Sequence, residues 1–219
     1  MKIPKIIHFI WIGNKPLPEN HKAYIETWRT NFPDWEIKIW DNDKINKKYY
    51  DFITNDSLYT SLKAYSCKTN LLRYKIIEEY GGIYADTDFE VLKDFRSELE
   101  NLDFFIGMMH EYEKSKIMAN GLFGAVPNHR ILKDIVKNIE KFAKKRKIEI
   151  FKTGPSAMTY FVRKNKLNDN EKIFEVKYFY PYSWKEKFPG YDSPSMKEAY
   201  VHHLWTASWR DQLFPKKNS

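Results

Sequence analysis

A chain of 219 residues suits one compact domain, and its 42% hydrophobic and 17% aromatic content supplies a core that a disordered chain would lack, so the mean hydropathy of −0.66 reflects abundant Lys, Asn and Asp. A formal charge of +8 and a pI near 9.2 favour acidic partners: nucleoside diphosphates, anionic lipid or nucleic acid. The single cysteine, Cys67, excludes an intrachain disulfide and a Cys-rich zinc site, and is expected as a small buried thiol in a reducing cytoplasm. No apolar run approaches the ~20 residues that cross a bilayer, and no small-residue cleavage site follows the first apolar run, so neither a transmembrane helix nor a signal peptide is expected.

In chain order, Ile3 to Ile12 is rich in Ile, Phe and Trp and reads as a buried strand. Glu19 to Phe32 places Ile25, Trp28 and Phe32 at helical spacing, Pro33 ends it, and Glu36 to Trp40 reads as the next strand. Leu62 to Tyr80 is a second helix carrying Leu71, Leu72, Ile76, Ile77 and Tyr80, with Gly81-Gly82 as its stop and Ile83 to Ala85 as the following strand. Further strands are expected over Phe104 to Met109 and Leu122 to Val126, and helices over Ile131 to Phe142 and Ser156 to Val162. The aromatic, Pro-containing stretch Tyr178 to Trp184 reads as irregular and substrate-facing. Strands alternating with helices imply an α/β fold with a largely parallel, doubly wound sheet, whose ligands sit at the carboxyl ends of the strands.

Asp86 occupies such an end. In Gly81-Gly82-Ile83-Tyr84-Ala85-Asp86-Thr87-Asp88, strand alternation would point both carboxylates to one side and Thr87 to the other. Paired carboxylate oxygens suit hard Mg²⁺ or Mn²⁺, which completes its shell with phosphates and water. In isolation an Asp-x-Asp is more often the mark of a solvated turn or cap.

The wider set of motifs resembles glycosyltransferase family 32, the Asp-x-Asp sugar transferases related to yeast mannosyltransferases and to the glucosylating domains of large clostridial toxins. The likeness rests on Ile6-Ile7-His8-Phe9-Ile10-Trp11-Ile12-Gly13, on Leu72-Arg73-Tyr74 leading into Tyr80 to Asp88, on Asn120-Gly121, on Thr153-Gly154-Pro155, and on His202-His203 with Ser208-Trp209. It implies a single GT-A domain, with a donor part over about 1–125 and an acceptor and site-completing part over about 126–219. It also implies a nucleotide-diphosphate sugar donor, a UDP-sugar favoured over GDP-mannose, with Mn²⁺ or Mg²⁺ and retention of anomeric configuration.

Position by position, the resemblance makes Trp11 the aromatic that stacks on the nucleotide base, Arg73 a donor-binding cation and Tyr84 a neighbour of the ribose. Asp86 would contact ribose or transferred sugar, and Asp88 would be the direct metal ligand. Asn120 and Gly121 would lie beside the reacting sugar, although a plain turn fits them too, and Thr153-Gly154-Pro155 would form a loop bordering the acceptor cleft. His203 or Ser208 would complete the metal site, with His203 preferred, and Trp205 and Trp209 would cover the donor. The family places Asp three positions before the helix arginine; Asn70 stands there instead and can hydrogen-bond a sugar hydroxyl from the same helix face.

His8, in a buried strand, is expected as a hydrogen-bonded core histidine without chemistry. Lys144 to Lys147 reads as a solvated helix end, and with Lys216-Lys217 would give weak docking on an anionic membrane. The acceptor would be a bacterial surface polysaccharide (capsular or lipopolysaccharide) or a lipid-linked oligosaccharide, made in the cytoplasm or at the inner face of the membrane, with no nucleic acid partner. Two rivals remain open at this point. An Asp-x-Asp phosphotransferase or phosphatase shares the short motif, but Glu90 replaces its usual hydroxyl residue; a basic glycan- or nucleic-acid-binding module is the nonenzymatic alternative.

Overall fold

The computed structural model describes residues 1–112 and 115–206. Its first half runs β1 (Ile6–Ile10), α1 (Glu19–Asn31), β2 (Glu36–Trp40), α2 (Asn42–Asn55), α3 (Ser57–Ser61), α4 (Tyr65–Tyr80), β3 (Gly82–Ala85) and β4 (Phe89–Val91). Then come β5 (Phe104–Tyr112), β6 (Ser115–Ala125), α5 (Arg130–Ala143), α6 (Glu149–Thr153), α7 (Pro155–Asn165), β7 (Glu171–Phe174), α8 (Val176–Phe179) and β8 (Val201–His203).

Six strands form one sheet in the order β2-β1-β3-β6-β5-β7, and β4 pairs with β8 in a separate two-stranded ladder. The β1/β2, β1/β3 and β5/β7 pairs are parallel, and only β6 runs against its neighbours β3 and β5. The expected α/β class with a mainly parallel central sheet is therefore what the chain adopts. β7 joins the same sheet as β1 to β3, so the two sequence halves share one scaffold.

Helices cover both faces, which is why the central strands carry continuous apolar runs. Ile7, Phe9, Ile83 and Ala85 pack with Ile25, Trp28 and Phe32 of the α1 side, while Ile10, Tyr84, Ile106 and Phe123 pack with Leu72, Ile76 and Ile135 on the other. Trp28 is fully buried and donates its indole N–H to the Phe89 carbonyl at 2.9 Å, which ties α1 to β4. His8 is a core group, as expected. It accepts from Trp40 Nε1 at 3.0 Å on Nδ1, so Nε2 carries the proton and donates to the Gly81 carbonyl at 3.0 Å. Burial drives its pKa down to about 4, in spite of the opposing Gly81 hydrogen bond. Cys67 is a buried thiol whose pKa burial pushes up to about 11.

Boundaries shift where local chemistry decides them. The first strand is shorter than Ile3 to Ile12, and the long helix starts at Tyr65 because residues 62–64 are extended. α2 and α3 were not expected: Asp41 and Asp56 cap them by accepting from Lys44 N at 2.9 Å and Tyr59 N at 2.7 Å, and α2 buries only Ile45 and Tyr49. Tyr178 and Phe179 belong to α8, and Tyr180 is buried at 1% exposure, so that stretch is structural where it was expected to face substrate. Lys144, Lys145 and Lys147 are exposed beyond the C-terminus of α5, in keeping with a solvated helix end.

The turn from α4 into β3 demands glycine twice. Gly81 caps α4 at φ +65° and Gly82 follows at φ +91°, where a Cβ would press on the Ile6 carbonyl and lie 3.2 Å from His8 Nε2. Gly82→Ala is expected to cost at least ~2 kcal/mol through φ strain and lost β1/β3 pairing. Urea unfolding followed by circular dichroism measures it, and a midpoint equal to that of the parent would contradict this account.

Candidate active site

Trp11 follows β1 and Asp86 follows β3, so both stand at the carboxyl edge of neighbouring parallel strands. The backbone leaves β3 at Ala85: Asp86 N still donates to the Gly121 carbonyl at 2.8 Å, and Phe89 N turns back onto the Asp86 carbonyl at 3.2 Å. Asp86 and Asp88 thus converge through a turn, which corrects the expectation that strand alternation would bring them together.

Each carboxylate is held by one oxygen. Asp86 Oδ1 accepts from Tyr84 OH at 2.6 Å and meets Arg73 NH2 at 2.9 Å. Its Oδ2 lies beside Gly121, where an added Cβ would stand 2.8 Å from it. Asp88 Oδ2 accepts from Thr206 N at 3.0 Å and Thr206 Oγ1 at 2.9 Å, while Oδ1 faces His203 Nε2 at 3.3 Å. Burial pushes the Asp88 carboxyl up, but the His203 charge and hydrogen bond, joined by both Thr206 bonds, outweigh it and hold the group well below the usual carboxylate range. Burial also raises Asp86; since its side chain keeps 30% exposure and Arg73 is in direct contact, we read the pair as ionised.

Arg73 is 4% exposed, so it is no solvated helix charge. Its NH1 donates to the Asn120 carbonyl at 2.6 Å, and the guanidinium lies 4.3 Å from the Tyr84 ring centroid. Its polar contacts among the described residues therefore lie with Asp86 and Asn120, behind the carboxylates. Tyr84 is fully buried beneath Asp86 and cannot flank a ribose, a correction that follows from its side chain facing the α4 layer. Asn70, also buried, accepts from Asn120 Nδ2 at 2.8 Å and donates to Thr153 Oγ1 at 3.2 Å. Asn120 Nδ2 also reaches Tyr74 OH at 2.8 Å, and that hydroxyl donates to the Thr153 carbonyl at 2.8 Å.

Asn120 and Gly121 lie within β6 and form no turn. Thr153 to Pro155 is no loop: Thr153 ends α6, Gly154 caps α7 and Pro155 opens it. Thr153 and Gly154 are buried behind Asn70, so the expected acceptor-cleft contact is corrected to a supporting role for the Asn70 and Asn120 amides.

On the opposite wall, β8 pairs with β4 so that His203 stands by Phe89 and His202 by Glu90. The two histidines part: His203 turns to Asp88, and His202 Nδ1 lies 2.9 Å from Glu90 Oε1. The His203 ring stacks on Phe89 at 4.2 Å and packs against Trp205 at 3.9 Å. Trp11 is half-buried, donates its indole N–H to the Lys15 carbonyl at 2.8 Å, and meets His21 edge-on at 5.3 Å. Ser208 and Trp209 lie outside the described residues.

Two residues of this site, His21 and Thr206, escaped the sequence reading. His21 Nδ1 lies 2.8 Å from Thr87 Oγ1, and burial lowers the histidine pKa against the pull of Asp88 and Asp86. Thr206 holds Asp88, a contact that its spacing from His203 could have suggested. Tyr180, from the aromatic stretch expected to face substrate, is buried, and its unpartnered OH borders Gly121.

One ligand atom from each of Asp86, Asp88 and His203 lies within 4.8 Å of the other two, and one oxygen of each carboxylate lacks a firm partner. Two carboxylates and an imidazole fit a divalent cation, and the nitrogen suits Mn²⁺ better than Ca²⁺. Six buried side-chain polar atoms among the described residues have no hydrogen-bond partner; four of them, Arg73 Nε, Tyr180 OH, His203 Nδ1 and Trp205 Nε1, gather at or against this site. Such clustering marks a place built for a further polar group.

Residues 18–105 match the family described as glycosyltransferase sugar-binding region containing DXD motif. The chain is 28% identical to an uncharacterized glycosyltransferase of Acanthamoeba polyphaga mimivirus, over 96% of this chain and 85% of that protein. It is 28% identical to inositol phosphoceramide mannosyltransferase 1 of Schizosaccharomyces pombe over 64% of this chain, and there spans 44% of the relative's length. The fold is similar to the PaToxG glycosyltransferase, at a TM-score of 0.56 and 22% identity over 74% of this chain and 70% of that one. The UDP-bound glycosyltransferase domain of the YGT toxin gives a TM-score of 0.54 at 10% identity, over 78% and 79%.

The fold and its carboxyl-edge acidic turn therefore define a GT-A glycosyltransferase. Within that class, residues 18–105 resemble the sugar-binding region of the transferases with the DXD motif, carried here by Asp86-Thr87-Asp88.

Removing Arg73 would strand Asp86. Arg73→Met is expected to cost about 2–3 kcal/mol, less than the ~3–5 of a fully buried pair because Asp86 is partly solvated. Adding Asp86→Asn should recover part of the loss in a double-mutant cycle of urea unfolding; strictly additive losses would show that the two groups are not coupled.

Proposed function

We propose that this protein transfers a hexose from a nucleotide-diphosphate donor, a UDP-sugar by preference, to an acceptor hydroxyl with retention of configuration. The observation that carries the reading is the convergence of Asp86, Asp88 and His203 beside Trp11 at the carboxyl edge of two parallel strands. Asp88 and His203, with Asp86 beside them, would hold Mn²⁺ or Mg²⁺, which when bound supplies positive charge against the departing diphosphate.

The chain's own groups do the rest. Trp11 offers a half-exposed aromatic face to a base. Asp86, its Oδ1 fixed by Tyr84 and Arg73, keeps Oδ2 for a ribose or sugar hydroxyl. The Asn70, Asn120, Tyr74 and Thr153 network fixes the amides that line the sugar side. Front-face attack, with the leaving phosphate taking the acceptor proton, suits a site whose described carboxylates are already engaged by Arg73, Thr206 and His203. A mannosyl donor is the second reading, favoured by the name of the fission-yeast relative. A surface glycan or a lipid-linked oligosaccharide is the acceptor we favour, with the enzyme working from the cytoplasmic side of the membrane.

The test is a screen of nucleotide sugars for Mn²⁺-dependent hydrolysis. One donor is expected to turn over, chelator is expected to stop it, and Asp88→Ala should lower the rate at least ~100-fold. Full activity of Asp88→Ala, or turnover indifferent to chelator, would remove the proposal.

A further inference from the structure

Residues 182–191 form a surface segment that the catalytic reading leaves unused. Trp184, Phe188 and Tyr191 are 51%, 37% and 56% exposed, three large aromatic side chains within eight residues. Single exposed apolar residues are ordinary, whereas a cluster of this size calls for a partner. Lys185 and Lys187 alternate with them and are exposed, and Lys185 Nζ stands 5.4 Å from the Trp184 ring centroid. The one acid in the run, Glu186, is exposed as well, and its Oε2 accepts from Ser183 N at 2.6 Å within the loop.

The segment is pinned from beneath. Tyr182 OH lies 2.7 Å from His202 Nε2 and 3.1 Å from the His203 carbonyl, Tyr191 OH donates to Glu90 Oε1 at 2.5 Å, and the Phe188 ring stacks on His202 at 4.5 Å. Every anchor is on the β4/β8 ladder that also carries His203, so the aromatic crest and the active site share one strand pair, with the crest on the His202 and Glu90 side. Aromatic rings that sit at headgroup depth, with lysine stems that snorkel toward anionic headgroups, are the pattern of a membrane-surface contact. The exposed residues beside the rings are Lys185, Glu186, Lys187 and Pro189, which carry net positive charge and lack the paired hydroxyls and amides that read a soluble sugar.

We infer that residues 182–191 dock this enzyme on an anionic phospholipid surface, with Trp184 entering the interface and Lys185 and Lys187 contacting headgroup phosphates. The surface differs from the Lys144 to Lys147 helix end, and it presents the active site to an acceptor carried in the membrane, a consequence that rests on the proposed transferase reading.

Full-length protein would be sedimented with phosphatidylcholine vesicles, with and without about one-third phosphatidylglycerol, at low and high salt. Binding is expected only to the anionic vesicles and to fade with salt. Trp184→Ala, and separately Lys185→Glu with Lys187→Glu, should each lower vesicle partitioning by about fivefold or more while metal-dependent donor hydrolysis in vesicle-free buffer stays at the parent rate. No binding by the parent, or binding that both variants retain, overturns the inference. Vesicle binding that behaves as expected in a protein that hydrolyses no nucleotide sugar would sink the transferase reading and leave the docking surface standing.

Discussion

The Arg73–Asp86 contact is the constraint around which the site is arranged. A guanidinium whose side chain is 5% exposed carries a large desolvation penalty, which is offset only if every neighbour is placed to meet it. Asp86, the Asn120 carbonyl and the Tyr84 ring supply those neighbours from β3 and β6, so the pair fixes α4 against two strands at once. Gly121 is part of the same constraint, because any side chain there would meet Asp86 Oδ2 and Tyr180 OH. Rigidity at Asp86 is thus a property of the whole sheet edge.

Asp88 is held differently. Its partners come from the far end of the described chain, His203 on β8 and Thr206 beyond it, and the β4/β8 ladder is separate from the main sheet. One wall of the site is built by the scaffold and the other by a strand pair laid over it. The unpartnered polar atoms of Arg73, Tyr180, His203 and Trp205 come from both walls. Polar groups left unmatched in a native protein are costly, so their gathering here is a local departure from consistency of the kind expected where function outranks stability.

Much of this was legible in the sequence because the informative residues obey local rules. The Gly81-Gly82 stop, the β-α-β opening and the buried character of His8 follow from backbone sterics and apolar periodicity alone. Asp86 and Asp88 were found by motif, but for a wrong geometric reason: the chain turns after Ala85, and the convergence depends on the Gly121 carbonyl and on β8. Tyr84, Thr153 and Gly154 were drawn too close to the ligand because a motif records which residues occur together, and burial decides which of them reach the surface. His21 was missed because its role arises from a contact with Thr87 across 66 positions. α2 was also missed, although Ile45, Tyr49, Phe52 and Ile53 stand at helical spacing behind the Asp41 cap.

The separation of the β4/β8 ladder from the main sheet has a consequence for how the enzyme comes into being. The last strand of the six-stranded sheet ends at Phe174, so a nascent chain can complete its scaffold while residues 201–206 are still inside the ribosome. At that stage Asp86 is already locked by Arg73, whereas Asp88 lacks both His203 and Thr206. The Asp88 side of the site is then completed as a discrete late event, when β8 pairs with β4 and brings His203 and Thr206 to the carboxylate.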